Sequence, residues 1–218
     1  MRCLIITIDG PAASGKGTIA RYIKKEFNFF HIDSGLLYRK IAKTIIDKNI
    51  NVKNTKEINM LIKKIGDIEL SNSKLLRSPI VSKVSSEIAK LKKIRDLVNM
   101  NQKKLVNKNK GKFKGIVIDG RDIGSVVFKE AEIKLYIDTN KKIRVKRRFK
   151  ELIDRDERTI YSNVLKDIKL RDEKDKKRRN SPLVIPRDAI IIDNSCRLHQ
   201  TKKLIKKIIL KKINNWID

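Results

Sequence analysis

Short apolar runs alternate with amphipathic stretches along this chain. Leu4-Ile5-Ile6-Thr7-Ile8-Asp9 is a continuous apolar run, rich in β-branched residues, that ends on an acid. Such a run reads as a strand buried on both faces, as in a parallel sheet. A turn from Gly10 to Gly15 follows, then a helical stripe of Ile19, Ile23 and Phe27 at four-residue spacing. Phe29-Phe30-His31-Ile32-Asp33 predicts a second strand. Ser34-Gly35 then starts a helix with Leu37, Ile41 and Ile45 on one face. The segment from Asn49 to Asn59 is polar, with a weak helix expected around Met60-Leu61-Ile62. Gly66 to Pro79 holds Gly, Asn, Ser and Pro without periodicity, which predicts a short insert with at most one hairpin. One long helix is expected from Ser82 to Val106, using Ile88, Leu91, Ile94 and Val98, until Asn107-Lys108-Asn109-Lys110-Gly111 breaks it. Gly115 to Asp119, Glu132 to Asp138 and Ala189 to Asp193 predict strands three to five. A Lys/Arg-dense helical stretch from Lys141 to Arg179 separates the last two strands. The last helix, Thr201 to Ile213, is expected to bury Leu204, Ile205, Ile208 and Ile209.

Strands that alternate with helices argue for an α/β fold with a doubly wound, five-stranded parallel sheet flanked by helices. Ligands of such sheets bind at the carboxyl ends of the strands. Asp9, Asp33, Asp119 and Asp138 all end predicted strands, so all four fall on that edge. The length, 218 residues, fits a single domain with small lids.

Composition changes the picture in one respect. Lys and Arg number 54 against 25 Asp and Glu, a net charge of +29. Three readings account for it: a polyanionic partner, an anionic small-molecule substrate, or a Lys-, Ile- and Asn-rich composition without a purpose of its own. Aromatic residues are only 5% of the chain, and no basic stripe is interleaved with them, which argues against a stacking platform for nucleic acid. No apolar stretch approaches the roughly 18 residues of a spanning helix. Met1-Arg2-Cys3-Leu4 runs straight into a strand without the regions of a signal peptide. Cys3 and Cys196 are the two cysteines, too few and too far apart for a zinc cluster; two reduced thiols in a cytoplasmic protein are expected.

The chemistry lies in Gly10-Pro11-Ala12-Ala13-Ser14-Gly15-Lys16-Gly17-Thr18, after the first strand and at the start of the first helix. It matches the phosphate-loop pattern G-x-x-x-x-G-K, with Thr one place later than usual. Glycines let backbone N–H groups approach phosphate oxygens, the helix adds the positive end of its dipole, and Lys16 adds a charge for the β- and γ-phosphates. Gly17 displaces the hydroxyl from the place next to Lys16, so Thr18 is expected to touch phosphate, or magnesium through water. Ala13, within the loop, can serve there only with a negative φ.

Three more segments narrow the class. They are Asp33-Ser34-Gly35-Leu36-Leu37-Tyr38-Arg39, Asp119-Gly120-Arg121-Asp122-Ile123-Gly124, and Arg171 to Arg178 preceding Ser181-Pro182-Leu183. With the phosphate loop, in this order and over nearly the whole chain, they resemble bacterial-type cytidylate kinases, of the nucleoside monophosphate kinase family. The resemblance implies transfer of the ATP γ-phosphoryl to CMP or dCMP, with Mg²⁺. It implies a core (about 1–35, 107–145 and 182–218), a small nucleotide-binding subdomain (about 36–106) and a mobile lid (about 146–181). It gives Lys16, Arg39, Arg121 and Arg178 catalytic roles, the three arginines on the CMP phosphate, where guanidinium forks suit phosphate geometry. Ser86, Arg95 and Asp122 would face the cytosine edge, Arg171 and Asp175 the ribose hydroxyls, and Ser34 and Tyr38 would border the acceptor site. The implied protein is a cytoplasmic monomer with no membrane or nucleic-acid partner. A kinase for another nucleotide or a small metabolite remains an alternative, as does a basic nucleic-acid-binding module.

Arg147, Arg148 and Arg155 are candidates for the ATP side of the lid. No general base is expected, because a phosphate acceptor is already ionised. His31 and His199 are read as bystanders, His31 on a strand with no evident partner, and Trp216 as a packing anchor. The family's CMP-binding part commonly carries an insert of antiparallel strands, and Gly66 to Pro79 is too short for all of it.

Overall fold

The computed structural model describes residues 3–70 and 74–215, so Trp216 lies outside the described residues. The chain divides into two compact units: one comprises residues 1–31 and 113–218, the other residues 32–112.

The first unit carries four of the five strands and the start of the other. β1 (Leu4–Asp9), β3 (Gly115–Asp119), β4 (Ile133–Asp138) and β5 (Ile190–Asp193) follow the predicted runs closely, and β2 is Phe30–Asp33. The strand order is β2-β3-β1-β4-β5. β1 pairs in parallel with both β3 and β4, Ile6 opposite Val117 on one side and Ile133 on the other, and β4 pairs in parallel with β5. β1 is buried along its whole length because helices cover both faces, which is why its run is apolar without alternation. Leu4, Ile6 and Ile8 pack with Ile19 and Ile23 of α1 (Lys16–Phe27), with Leu135 and Ile137 of β4, and with Ile205 and Ile209 of α8 (Leu198–Asn214). α8 turns the expected face inward, with Ile205 and Ile209 buried and Ile208 packed against the core, except that Leu204 is 47% exposed and Thr201 is buried one turn before Ile205. The charged stretch after β4 is two helices, α6 (Lys141–Ile153) and α7 (Tyr161–Lys177). They share a small core of Val145, Val164 and Ile168, on which Phe149, Leu152 and Ala13 pack.

The second unit is helical. α2 (Ser34–Asp47) is capped by Asp33, whose Oδ1 accepts from the Leu36 amide at 3.0 Å. α3 (Thr55–Lys64) starts within the stretch that reads as polar. Asn54 caps it by accepting from the Lys56 and Glu57 amides, and its side-chain amide donates to Glu57 Oε1 at 2.6 Å. No strand forms among the described residues of 66–79; a 3-10 turn, Lys74–Arg77, leads instead to α4. The single long helix expected from Ser82 to Val106 is two, α4 (Pro79–Ile88) and α5 (Lys92–Asn109). Leu91 is extended between them, and Arg95 NH1 donates to the Ala89 carbonyl at 3.2 Å, capping one of the carbonyls that α4 leaves open. No helix of the described residues is long and apolar enough to cross a membrane.

Candidate active site

The phosphate loop is shaped by groups outside it. Gly10 has φ 146°, and a Cβ there would stand 2.3 Å from the Ile137 carbonyl oxygen. Gly15 has φ 92°, and its Cβ would meet Asn194 Nδ2 at 2.5 Å. Both positions admit only glycine. Ala13 has φ 57°, which corrects the expectation of a negative value. The left-handed region costs an alanine about 1–2 kcal/mol. The surroundings over-determine it, since its methyl packs on the core shared by α6 and α7.

Three loop carbonyls are held by side chains. Lys16 Nζ donates to Pro11 O at 2.8 Å. Arg144 NH1 donates to Ala12 O at 3.0 Å. Thr139 Oγ1 and Asn194 Nδ2 donate to Ser14 O at 3.0 and 2.8 Å. In a planar trans peptide the following N–H points opposite to its carbonyl. Anchoring these carbonyls therefore turns the amides of Ala12, Ala13 and Gly15 to the other side of the loop, where they form an anion-binding concavity. Lys16 is 5% exposed. Burial drives its pKa well below the ordinary lysine range, Arg121 pushes the same way, and Asp119 opposes them.

The carboxyl edge of the sheet collects acids as the pattern required, since Asp9, Asp33, Asp119 and Asp138 each end a strand. Asp9 is fully buried, with Oδ1 and Oδ2 accepting from the Ile123 and Gly124 amides at 2.8 and 2.7 Å. Burial raises its pKa from 3.8 to about 6, against the pull of those two amides. Those amides open a single π-helical turn, Ile123–Val127, directly after Arg121-Asp122. His31 has a partner that the sequence did not reveal: its Nε2 lies 2.7 Å from Asp119 Oδ1. Burial alone would raise the Asp119 pKa, but His31, Lys16 and Arg121 hold it below the usual carboxylate range.

Two distant segments meet on this edge. Arg121 Nε donates to Asp175 Oδ2 at 2.9 Å. Arg178 reaches both Asp122, at 3.4 Å, and Asp175, at 3.7 Å. Burial would raise the Asp175 pKa, yet Arg121, Arg171 and Arg178 keep it low. The structure thus brings together Lys16, Arg121, Asp122, Arg171, Asp175 and Arg178 of the predicted set. Of the lid candidates, Arg147 donates to Asn194 O at 2.8 Å, whereas Arg148 and Arg155 pair with Glu151. Thr18 is exposed on the first turn of α1 and accepts from Arg21.

The second unit holds its own share of the predicted residues. Ser34 is buried and accepts from Gln102 Nε2 at 2.7 Å. The Arg95 guanidinium lies 6.0 Å from the Tyr38 ring centroid. Arg39 extends from α2 along Gly35, and Ser86 is half-buried on α4. Gln102 and Arg144 went unnoticed in the sequence, and the partner of His31 was not foreseen. Asn194 had a signal, a polar residue just past a strand end, but Arg144 is one cation among many in a basic run.

A phosphate loop at the end of the central strand of a parallel sheet, with arginine forks on the same edge, defines a P-loop phosphotransferase. A model of the cytidylate kinase family matches residues 6–215. The cytidylate kinase of Bartonella bacilliformis is 37% identical over 195 residues, covering 89% of this chain and 88% of its own length. That of Fusobacterium nucleatum is 37% identical over 204 residues, covering 88% and 90%. The chain belongs to the cytidylate kinase family. The crystal structure of TT1252 from Thermus thermophilus shares the fold, with a TM-score of 0.52 at 14% identity, over 97% of this chain and 98% of that one.

Proposed function

We propose that this protein transfers the γ-phosphoryl group of ATP to the phosphate of CMP and dCMP, giving CDP and dCDP. The observation that supports this most is the meeting of Arg121 and Asp122 with Asp175 and Arg178 in the same field as Lys16. Phosphoryl transfer needs positioning and charge neutralisation more than covalent help. The amides of Gly10 to Thr18 bind the ATP phosphates, and Lys16 regains its full charge against them. Arg39, Arg121 and Arg178 neutralise the CMP phosphate, which removes the repulsion between two anionic substrates. The ion pairs Arg121–Asp175 and Arg178–Asp122 keep those forks aimed while no phosphate is present. Ser86, Arg95 and Asp122 read the cytosine edge, a carboxylate accepting from its amino group and the donors meeting its carbonyl and ring nitrogen. Arg171 and Asp175 take the ribose hydroxyls, and Ser34 and Tyr38 border the acceptor. The segment 146–181 serves as a lid whose closure excludes water.

Mg²⁺ enters with ATP. The exposed Thr18 hydroxyl and the low-pKa Asp119 carboxylate, near Gly17, suit such an ion through its water shell. When bound, such an ion would supply charge neutralisation of the ATP phosphates.

The test is ADP release from Mg²⁺-ATP with CMP, dCMP, UMP, AMP, GMP, dTMP and shikimate. Turnover of CMP and dCMP above the rest, lost in Lys16→Ala, is the expected result. Arg39→Ala and Arg121→Ala should each lower kcat/KM for CMP by roughly a hundredfold, the size of a charge-assisted contact left unmade. Turnover of none of the nucleotides, or arginine variants within about twofold of the parent, overturns the reading.

A further inference from the structure

Arg144 sits on the first turn of α6, 5% exposed, and nothing in the proposed reaction uses its charge. Its guanidinium has three engaged ends. Nε donates to the Thr139 carbonyl at 3.0 Å, NH1 to the Ala12 carbonyl at 3.0 Å, and NH2 lies 2.7 Å from Asp172 Oδ2. Thr139 is itself a loop anchor, through Ser14 O. Asp172, on α7, is also buried, and its Oδ1 has no hydrogen-bond partner among the described residues. One planar fork thus ties the phosphate loop, the end of β4 and the lid helix α7 together.

We infer that Arg144 is a positioning residue for ATP: by holding the Ala12 carbonyl outward it keeps the Ala13 amide aimed at phosphate, while Asp172 holds Arg144 in place. The inference rests on the reading of the loop as the ATP site. Lysine could supply the charge but not the three-way fork, so geometry rather than charge is what Arg144 contributes.

The two halves of the pair separate structure from function. Arg144→Met leaves Asp172 as a buried carboxylate without its counter-ion, which lowers Tm. Arg144→Met with Asp172→Leu removes both charges, and such exchanges are often neutral or stabilising, so Tm should return toward that of the parent. Neither variant can anchor the Ala12 carbonyl. The Kd for a fluorescent ATP analogue, read directly, and KM for ATP should both rise about tenfold in the double variant despite its recovered Tm. Arg144→Lys should fold and show the same rise. Recovery of ATP affinity together with Tm in the double variant, or unchanged affinity in a folded Arg144→Lys, overturns the inference. A parent protein that binds the analogue but phosphorylates no CMP would instead overturn the proposed function, leaving the Arg144 result to stand by itself.

Discussion

Replacing Asp9 by asparagine tests the electrostatics at the head of the central strand. Asp9 is completely buried, and its pKa rises from 3.8 in the unfolded chain to about 6 in the fold. Burial is the main cause, with the Gly124 and Ile123 amides opposing it and the nearby Asp122 charge adding to it. A raised folded pKa means that the native state binds this proton more tightly than the unfolded state. Stability from this group is therefore present at low pH and lost as pH rises from about 4 through about 6. The shift, about two pK units at ~1.4 kcal/mol each, corresponds to about 3 kcal/mol over the whole transition. Between about pH 4.5 and 7.5 the same linkage gives about 2 kcal/mol, because part of the transition lies below that window. Asparagine does not titrate. The unfolding free energy of Asp9→Asn minus that of the parent should therefore climb by about 2 kcal/mol across the window. Its absolute level will be offset downward, since an amide offers one oxygen where the carboxylate uses two, and an unpaired buried N–H costs roughly 1–3 kcal/mol. Urea unfolding followed by circular dichroism at four pH values measures the curve. A flat difference would refute the raised pKa, because a folded pKa at or below 3.8 changes stability by only about 0.1 kcal/mol across this window.

Two further predictions concern the loop. A bound triphosphate should raise the depressed pKa of Lys16, so ATP binding takes up a fraction of a proton and weakens as pH rises through the free protein's Lys16 pKa. Calorimetry in buffers of different ionisation enthalpy reads this directly, and zero uptake at every pH would refute it. Ala13→Gly relieves a φ of 57° but loses methyl packing of at most ~0.8 kcal/mol and adds about 0.5–1 kcal/mol of unfolded-chain entropy. These effects nearly cancel, so thermal unfolding should change by less than about 1 kcal/mol; a larger loss would mean that the methyl anchors α6 and α7 to the loop.

The sequence by itself determined the strands, most helix starts and the phosphate loop, because these depend on local chemistry. A two-sided strand in a parallel sheet has to be predominantly apolar, as Leu4 to Ile8 are but for the buried Thr7. The start of α2 was legible at Ser34, where the structure shows the Asp33 cap, and a phosphate loop declares itself by glycines where no Cβ fits, as at Gly10 and Gly15. The clustering of strand-end acids followed from topology alone. Tertiary structure decided what depends on a distant partner. The division of α4 from α5 falls at the extended Leu91, with Arg95 donating to the Ala89 carbonyl, and the unbroken apolar spacing across Leu91 conceals it. On α8 the core took Ile205 and Ile209, as the pattern implied, and left Leu204 exposed, which the pattern alone could not tell. His31 gained its partner from a residue 88 positions away, and Ala13 its left-handed conformation from packing on α6 and α7. Arg144 differs from the other cations around it only in being buried against Ala12 and Asp172. A chain with 54 basic residues spreads the same side-chain chemistry over many positions, and burial among specific acceptors, which the fold alone supplies, gives one of them a role.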